Sequence, residues 1–291
     1  MSHQVDNAII MAAGVSSRFV PLCYEKPKAL IEVKGEILIE RQIKQLKEAG
    51  IPEIVVVTGY KKELFAYLEE KYGVLLVENP EYLERNNNGS IYAARQFLRN
   101  SYICSADNYF SQNPFEREVD ESYYAALYAR GYTKEWCMAT DKKGYITSVQ
   151  IGGKNAWYML GHAFWSKKFS HTFLEILAKE YDWEETRKKY WENIFMEHIC
   201  ELPMKMRKYQ EKDIYEFDSL DELRMFDTKY QNNSGSIILQ EIAGQLNCRE
   251  YDMSEFSPVK APGGYVEGVV FRAFDKTWKY KYETRKIEEL S

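Results

Sequence analysis

The sequence predicts an α/β fold: a mixed, mainly parallel sheet with helices on both faces, and an antiparallel subregion inserted late in the chain. Three observations carry this. Short apolar runs alternate with amphipathic stretches through the first hundred residues. A loop of small residues, Ala12-Ala13-Gly14-Val15-Ser16-Ser17-Arg18, follows the first apolar run directly. From Ser122 the rhythm changes to β-type segments separated by turn residues. Strands alternating with helices at such spacing pair in parallel through right-handed crossovers.

In order, Ala8–Met11 reads as a buried strand, and Leu38–Ala49 as a helix with apolar Ile39, Ile43 and Leu46, ended by Gly50. Ile54–Thr58 is a second strand, Lys62–Lys71 a second helix and Val74–Val77 a third strand. A polar loop from Asn79 to Gly89 leads to a helix over Ser90–Leu98 and a fourth strand at Tyr102–Ser105. Tyr123–Ala129, Trp136–Thr140, Tyr145–Ile151 and Trp157–Trp165 read as antiparallel strands over the ligand crevice, punctuated by Asp141-Lys142-Lys143-Gly144 and Gly152-Gly153. Helices are expected at Phe169–Lys179 and Trp183–Ile199, then a strand at Ile214–Phe217 and a helix from Ser219 to about Lys229. That last helix starts on a capping box, Ser219 with Glu222. The polar break Gln231-Asn232-Asn233-Ser234-Gly235 suggests a boundary, giving a main domain over 1–230 and an extension over 231–291. The extension reads as a helix (Ser236–Leu246) and two strands (Gly268–Ala273, Trp278–Tyr282). It is too short for a confident core of its own, so it is expected to dock on the main domain or to join subunits of a homo-oligomer.

Apolar and charged fractions of 45% and 29% fit a globular chain. A net charge of −5, with Lys and Arg scattered, argues against nucleic acid as a partner. Five widely spaced cysteines form neither a disulfide framework nor a zinc site, and the four histidines lack metal-binding spacing. With neither a leader-like N-terminus nor a bilayer-length apolar run, a cytoplasmic location with no membrane partner is expected.

A strand, a small-residue loop, then Arg18 and Lys28 together meet the needs of a nucleoside triphosphate. Small residues let backbone N–H groups approach phosphates, and the two cations balance charge that develops as phosphorus is attacked. No Gly-Lys-Ser/Thr closes the loop, so this is not the P-loop of kinases and ATPases. The alternative is an ordinary strand-to-helix turn with surface cations. In open α/β sheets ligands lie beyond the C-terminal strand ends, so Asp107, after the fourth strand, is placed to hold magnesium or else to cap the next turn. Asp218 is the best candidate for a second metal carboxylate, or a cap for the helix that follows.

The run Gly14-x-x-x-Arg18-x-x-Pro21…Pro27-Lys28-Ala29-Leu30, with Gly35…Leu38-Ile39-Glu40 and Gly50-Ile51…Thr58-Gly59-Tyr60, resembles the nucleotidyltransferase family that makes NDP-sugars and CDP-alcohols. Glu78-Asn79…Asn86-Asn87…Ser90-Ile91-Tyr92, Ser105-Ala106-Asp107-Asn108-Tyr109, Thr133-x-Glu135-Trp136, Tyr190-Trp191-Glu192-Asn193 and Ile214-Tyr215-Glu216-Phe217-Asp218-Ser219 are most similar to its bacterial CTP:phosphocholine cytidylyltransferases. The resemblance spans residues 7 to about 230. It implies a Rossmann-like fold of the nucleotide-diphospho-sugar transferase type and the conversion of CTP and phosphocholine to CDP-choline and pyrophosphate, with Mg2+ as cofactor. Ala12, Ala13 and Gly14 would contact base and phosphates through backbone, with Ser90 and the Asn86-Asn87-Asn88 loop, together with Gly89, at the nucleobase edge. Arg18 would bind the leaving pyrophosphate and Lys28 the α-phosphate, while Asp107 and Asp218 would hold the metal.

By residue type alone Trp136, Tyr190 and Trp191 belong to a core; with the resemblance, they and Glu192 imply an acceptor pocket. A trimethylammonium group donates no hydrogen bonds, so aromatic faces and a carboxylate suit it, each cation–π contact being worth roughly 0.5–2 kcal/mol. Trp157 and Tyr158 are weaker candidates for the same wall. Two departures stand out: Gly14-Val15-Ser16-Ser17-Arg18 where relatives commonly have Gly-x-Gly-Ser-Arg, and Trp191-Glu192 where they have Trp-Asp. Phe256-Ser257-Pro258-Val259-Lys260, Gly264, Val270-Phe271-Arg272 and Tyr280-Lys281-Tyr282 faintly resemble the opening hairpins of choline kinase-like phosphotransferases, without room for a catalytic lobe. The alternatives are a sugar 1-phosphate, inositol phosphate or 2-aminoethylphosphonate as acceptor, or a non-catalytic nucleotide-binding subunit.

Overall fold

Buried runs at Asn7–Met11 (β1), Ile54–Thr58 (β2) and Ser101–Ser105 (β4), with the partly exposed edge strand Leu75–Glu78 (β3), pair in parallel at the heart of the chain. In the computed structural model, which describes residues 2–262 and 265–290, contacts divide the chain into two compact units. The first unites the chain up to Gly14 with Leu38–Glu216; the second unites Val15–Ile37 with the chain from Phe217 on. The polar stretch at Gln231–Gly235 therefore lies inside the second unit.

The first unit holds a seven-stranded sheet. Further elements are Asn108–Phe110 (β5), Tyr123–Thr140 (β6), Ile146–Trp165 (β7), Lys205–Lys208 (β8) and Ile214–Glu216 (β9). The strand order is β8-β6-β7-β4-β1-β2-β3, with β7 antiparallel to β4 and to β6, and β9 pairs with β5 outside this sheet. The four antiparallel segments expected over the crevice are thus two long strands. Their inner halves join the central sheet, and their outer halves form a ribbon with several register shifts, which the glycines and mixed polarity had made look like chain breaks.

Helices of this unit are Leu38–Glu48 (α1), Tyr67–Tyr72 (α2), Asn87–Ala93 (α3), Lys167–Glu180 (α4), Glu184–Lys188 (α5) and Trp191–Glu197 (α6). Two differ from expectation. α3 starts three residues before Ser90, inside the asparagine run. The helix expected over Trp183–Ile199 breaks at Lys189-Tyr190, because Asn88 donates to the carbonyls of Thr186 and Lys189, and Tyr190 is extended with its N–H on Asn193 Oδ1, 2.8 Å away. The core under the sheet gathers Ile9, Val55, Val57, Ile91, Trp165, Phe173, Trp191 and Phe195.

The second unit comprises Leu220–Phe226 (α7), Lys229–Asn232 (α8), Ile237–Leu246 (α9) and a four-stranded antiparallel sheet. Its strands are Ser254–Lys260 (β10), Val266–Ala273 (β11), Lys276–Lys281 (β12) and Lys286–Leu290 (β13). Gly268 on β11 is required by close approach, since a Cβ there would lie 2.4 Å from the Tyr280 carbonyl oxygen. Gly264 lies outside the described residues. The buried Arg224 guanidinium ties α7 to this sheet's approach by donating to the carbonyls of Tyr230, Glu250 and Met253. Among the described residues no helix is long and apolar enough to cross a membrane.

Candidate active site

Parallel pairing sets the nucleotide loop in place. β1 ends opposite β2 and β4, with Met11 in register with Val57 and Ser105. Ala12 N–H donates to Val57 O (2.8 Å), Tyr60 N–H to Ala13 O (3.0 Å) and Ala106 N–H to Met11 O (3.1 Å). Ala12 and Ala13 are buried and Gly14 is exposed. A Cβ on Gly14 would meet nothing within 4 Å, whereas one on Gly59 would lie 2.9 Å from Ala13 O and 2.8 Å from the Tyr82 side chain. In the sequence Gly59 stands out only as a member of the motif Thr58-Gly59-Tyr60. Its role is to let the β2 exit pass under the loop. Asp107, one residue beyond Ala106, is half-buried in the turn between β4 and β5, at the same sheet edge as Ala12.

The asparagine run has two tasks. Asn88, fully buried, spends its amide on the Thr186 and Lys189 carbonyls, which holds the segment before α6 rather than presenting this amide outward. Gly89 packs closely, because a Cβ would sit 3.2 Å from Arg85 Cβ. Ser90 is buried and its Oγ accepts from Asn79 Nδ2 at 3.2 Å. Asn87, in the loop expected to read the nucleobase edge, donates to Glu192 Oε2 (3.0 Å) while its Oδ1 accepts from Trp191 N–H (2.7 Å).

The four residues expected to bind the acceptor are divided by the structure. Trp136 and Tyr190 form an edge-to-face corner, ring centres 5.8 Å apart at 89°, with Tyr190 44% exposed. Glu192 stands in the first turn of α6, half-buried, its Oε1 accepting from Tyr124 Oη at 3.0 Å. Burial pushes its carboxyl pKa above the ordinary value, against the opposing donors Asn87 and Tyr124. Trp191 requires a correction. It is 1% exposed, stacked on Tyr124 at 5.5 Å and set edge-on to Trp165, so it is a core residue and not a pocket wall. Position N1 of a helix whose next residue faces Tyr124 turns its indole inward. Tyr124 is the missing member of the group; in a strand that reads Tyr123-Tyr124, nothing in the sequence says which ring meets Glu192. Trp157 stacks edge-on with Tyr128 and carries Lys208 over its face, 4.8 Å from the ring centre.

In the second unit, Lys28 is 5% exposed with its ammonium 5.6 Å from the centre of the Phe19 ring. Arg18 Nη1 lies 2.6 Å from Asp218 Oδ2, both side chains being substantially exposed. Ser219 Oγ accepts from Glu222 N–H (3.2 Å) and Glu222 reaches back to Asp218 N–H (2.6 Å). The capping role therefore belongs to Ser219 and Glu222, and the Asp218 carboxylate turns to Arg18. Asp107 and Asp218 supply hard oxygen donors from partly exposed side chains, a chemistry that suits magnesium.

Glu180, Glu197 and His198 bring ligand-type atoms within 4.8 Å of one another, although histidine spacing gave no sign of it. Lys189 Nζ, 2.6 Å from Glu197 and 4.0 Å from Glu180, already balances this cluster. It braces the segment ahead of α6.

Residues 8–151 match the model of the MobA-like NTP transferase domain. Choline-phosphate cytidylyltransferase of Streptococcus pneumoniae is 35% identical over 78% of this chain and 99% of its own length. The 2-aminoethylphosphonate cytidylyltransferase of Lancefieldella rimae is 38% identical over 77% of this chain and 93% of its own length. Among solved structures, the CTP:phosphocholine cytidylyltransferase of Streptococcus pneumoniae superimposes with a TM-score of 0.73 at 36% identity, covering 77% of this chain and 97% of that one.

Proposed function

The chain belongs to the nucleotidyltransferase family of these cytidylyltransferases, with its nucleotide-diphospho-sugar transferase fold, and we propose that it joins CTP and phosphocholine to give CDP-choline and pyrophosphate. A phosphate oxygen of phosphocholine attacks the α-phosphorus of CTP in line, and the bond to pyrophosphate breaks. Phosphocholine is largely ionised at neutral pH, so no general base is required. Catalysis then consists of positioning and charge compensation. Lys28 carries the charge that grows on the α-phosphate, Arg18 exchanges Asp218 for pyrophosphate oxygens, and Ala12 to Gly14 supply backbone contacts. Asp107 and Asp218 would hold Mg2+, which when bound neutralises phosphate charge. Among the described residues no cysteine is bridged, and Cys23, Cys104 and Cys137 are buried, which fits a reducing, cytoplasmic setting.

The observation that favours phosphocholine is the corner between Trp136, on β6, and Tyr190, the residue that precedes the helix carrying Glu192. Both Glu192 oxygens already accept from protein donors, Tyr124 and Asn87. With the carboxylate held in this way, its charge and the aromatic surface beside it suit a quaternary ammonium. The 38% identity with a 2-aminoethylphosphonate enzyme keeps that acceptor as the second reading. Pyrophosphate release from CTP, measured with phosphocholine, 2-aminoethylphosphonate, phosphoethanolamine and glucose 1-phosphate in parallel, decides between them. A higher kcat/KM for any acceptor other than phosphocholine overturns the proposal.

A further inference from the structure

The loop that bears Arg18 and Lys28 folds with the C-terminal part of the chain, in the second unit. Its helical turn Leu22–Glu25 touches the extension at adjacent residues. Glu25 Oε1 accepts from Ser236 Oγ at 3.0 Å and from Ile238 N–H at 2.8 Å, so it sits on the positive end of α9, where a carboxylate is favoured. Tyr24 stacks on Tyr282 with ring centres 3.8 Å apart, and β10 packs against the Ser17–Phe19 turn. Further along the loop, Tyr230 Oη donates to Glu32 O (2.6 Å) and Lys34 N–H to Asp227 Oδ2 (2.7 Å). The loop is thus held on both sides of Lys28 by residues C-terminal to Phe217. About a fifth of this chain lies outside the match to the pneumococcal relative.

We propose that the extension beyond residue 230 positions the cationic loop, and that Glu25 is the positioning residue through which α9 fixes Lys28, three residues further on. This rests on the reading of Lys28 as the cation of the transition state. Glu25 acts through the backbone: its carboxylate fixes the turn that precedes Pro27 and Lys28. A loop held in this way keeps Lys28 where charge develops without reorganisation during the reaction.

The test uses the full chain. Glu25→Ala is expected to lower kcat about tenfold at saturating substrates, the usual scale for losing a helix-start acceptor, with the phosphocholine KM unchanged within about twofold. Glu25→Gln, which keeps an acceptor for Ile238 N–H, should retain at least about half of the wild-type kcat. In a Lys28→Ala background, Glu25→Ala should change kcat by less than about twofold, since a positioning residue has nothing left to position. An undiminished kcat, or the same loss in both backgrounds, overturns the proposal. Tyr282→Leu provides a second variant should Glu25→Ala not fold, with the same expectation. Amide exchange of residues 16–30, measured without substrates, should accelerate about tenfold in Glu25→Ala and stay unchanged in β1; unaltered exchange of 16–30 overturns the proposal. This last readout needs no turnover, so failure with phosphocholine would sink the functional reading and leave the positioning claim to be judged on exchange alone.

Discussion

Replacing Glu192 by glutamine removes one charge and almost no volume, so it isolates the electrostatic part of acceptor binding. The carboxylate is half-buried and anchored at both oxygens, by Tyr124 at 3.0 Å and by Asn87 at 3.0 Å, and glutamine can keep one of these bonds as acceptor. For unit charges about 5 Å apart at an effective dielectric constant of about 20, Coulomb attraction is about 3 kcal/mol. Partial exposure and the cost of desolvating the trimethylammonium group reduce this to about 1.5–2 kcal/mol, which is roughly a 10- to 30-fold rise in the phosphocholine KM. The ammonium is remote from the reacting phosphorus and its charge does not change during the reaction. Glu192 therefore acts equally on ground and transition states, and kcat should hold within about twofold.

The assay is initial-rate pyrophosphate release at saturating CTP over a pH series. Because burial raises the Glu192 pKa above the ordinary value, the free enzyme loses this charge at a pH higher than an ordinary glutamate would, and KM climbs as pH falls through that range. The glutamine variant should lack that component and retain only the second ionisation of the substrate phosphate, near pH 6. A KM unchanged by the substitution, or a kcat that falls as much as kcat/KM, would refute the assignment of Glu192 to the choline ammonium.

Four further outcomes are expected. Lys28→Ala should lower kcat by about 10²–10³ while CTP affinity, read by calorimetry, changes less than about fivefold; equal losses would make Lys28 a ground-state ligand. Trp191→Ala should cost about 3–5 kcal/mol of stability in urea unfolding, as a core truncation does; a variant of wild-type stability with only a raised KM would return this ring to the pocket. Gly59→Ala, whose Cβ would press on Ala13 O and Tyr82, should weaken CTP binding more than phosphocholine binding, and equal effects on the two would disconnect Gly59 from the nucleotide loop. Burial opposes the charged form of His198, but Glu201 and Glu180 outweigh it and raise its pKa, so its stabilising effect is full below the unfolded value of about 6.5 and fades as pH rises through the folded value. The gap in Tm between wild type and His198→Gln should therefore shrink from pH 6 upward, and a gap that widens would contradict the ion-pair account.

What could be read from the sequence divides along physical lines. Three of the four parallel strands were legible because strands buried on both faces show as uninterrupted apolar runs, as in Ile54–Thr58, and the partly exposed edge strand β3 still reads as the run Val74–Val77. The loop from Ala12 to Gly14 and the turn at Asp107 followed from strand ends alone, since parallel register brings them to one edge. The outer strands β10 and β13 escaped notice because Pro258 interrupts one and Lys286-Ile287-Glu288-Glu289 gives the other a mostly charged surface. The long strands β6 and β7 looked like four because their register shifts fall where an isolated strand would end.

The acceptor site marks the limit most clearly. The sequence offers residue types that suit an alkylammonium there, aromatics and an acid within Tyr190-Trp191-Glu192. Their allocation was not readable, because neighbouring residues at a helix start point in different directions, and where α6 starts is decided by a distant side chain. Asn88, some hundred positions away, takes the carbonyls of Thr186 and Lys189 and so ends α5 early. Tyr190 is then left extended and exposed beside Trp136, Trp191 turns into the core against Tyr124, and Glu192 reaches the Tyr124 hydroxyl. A helix continuous from Trp183 to Ile199 would remove the break that sets these three directions. A buried amide on α3 thus sets, from about a hundred positions away, the directions in which three adjacent residues point.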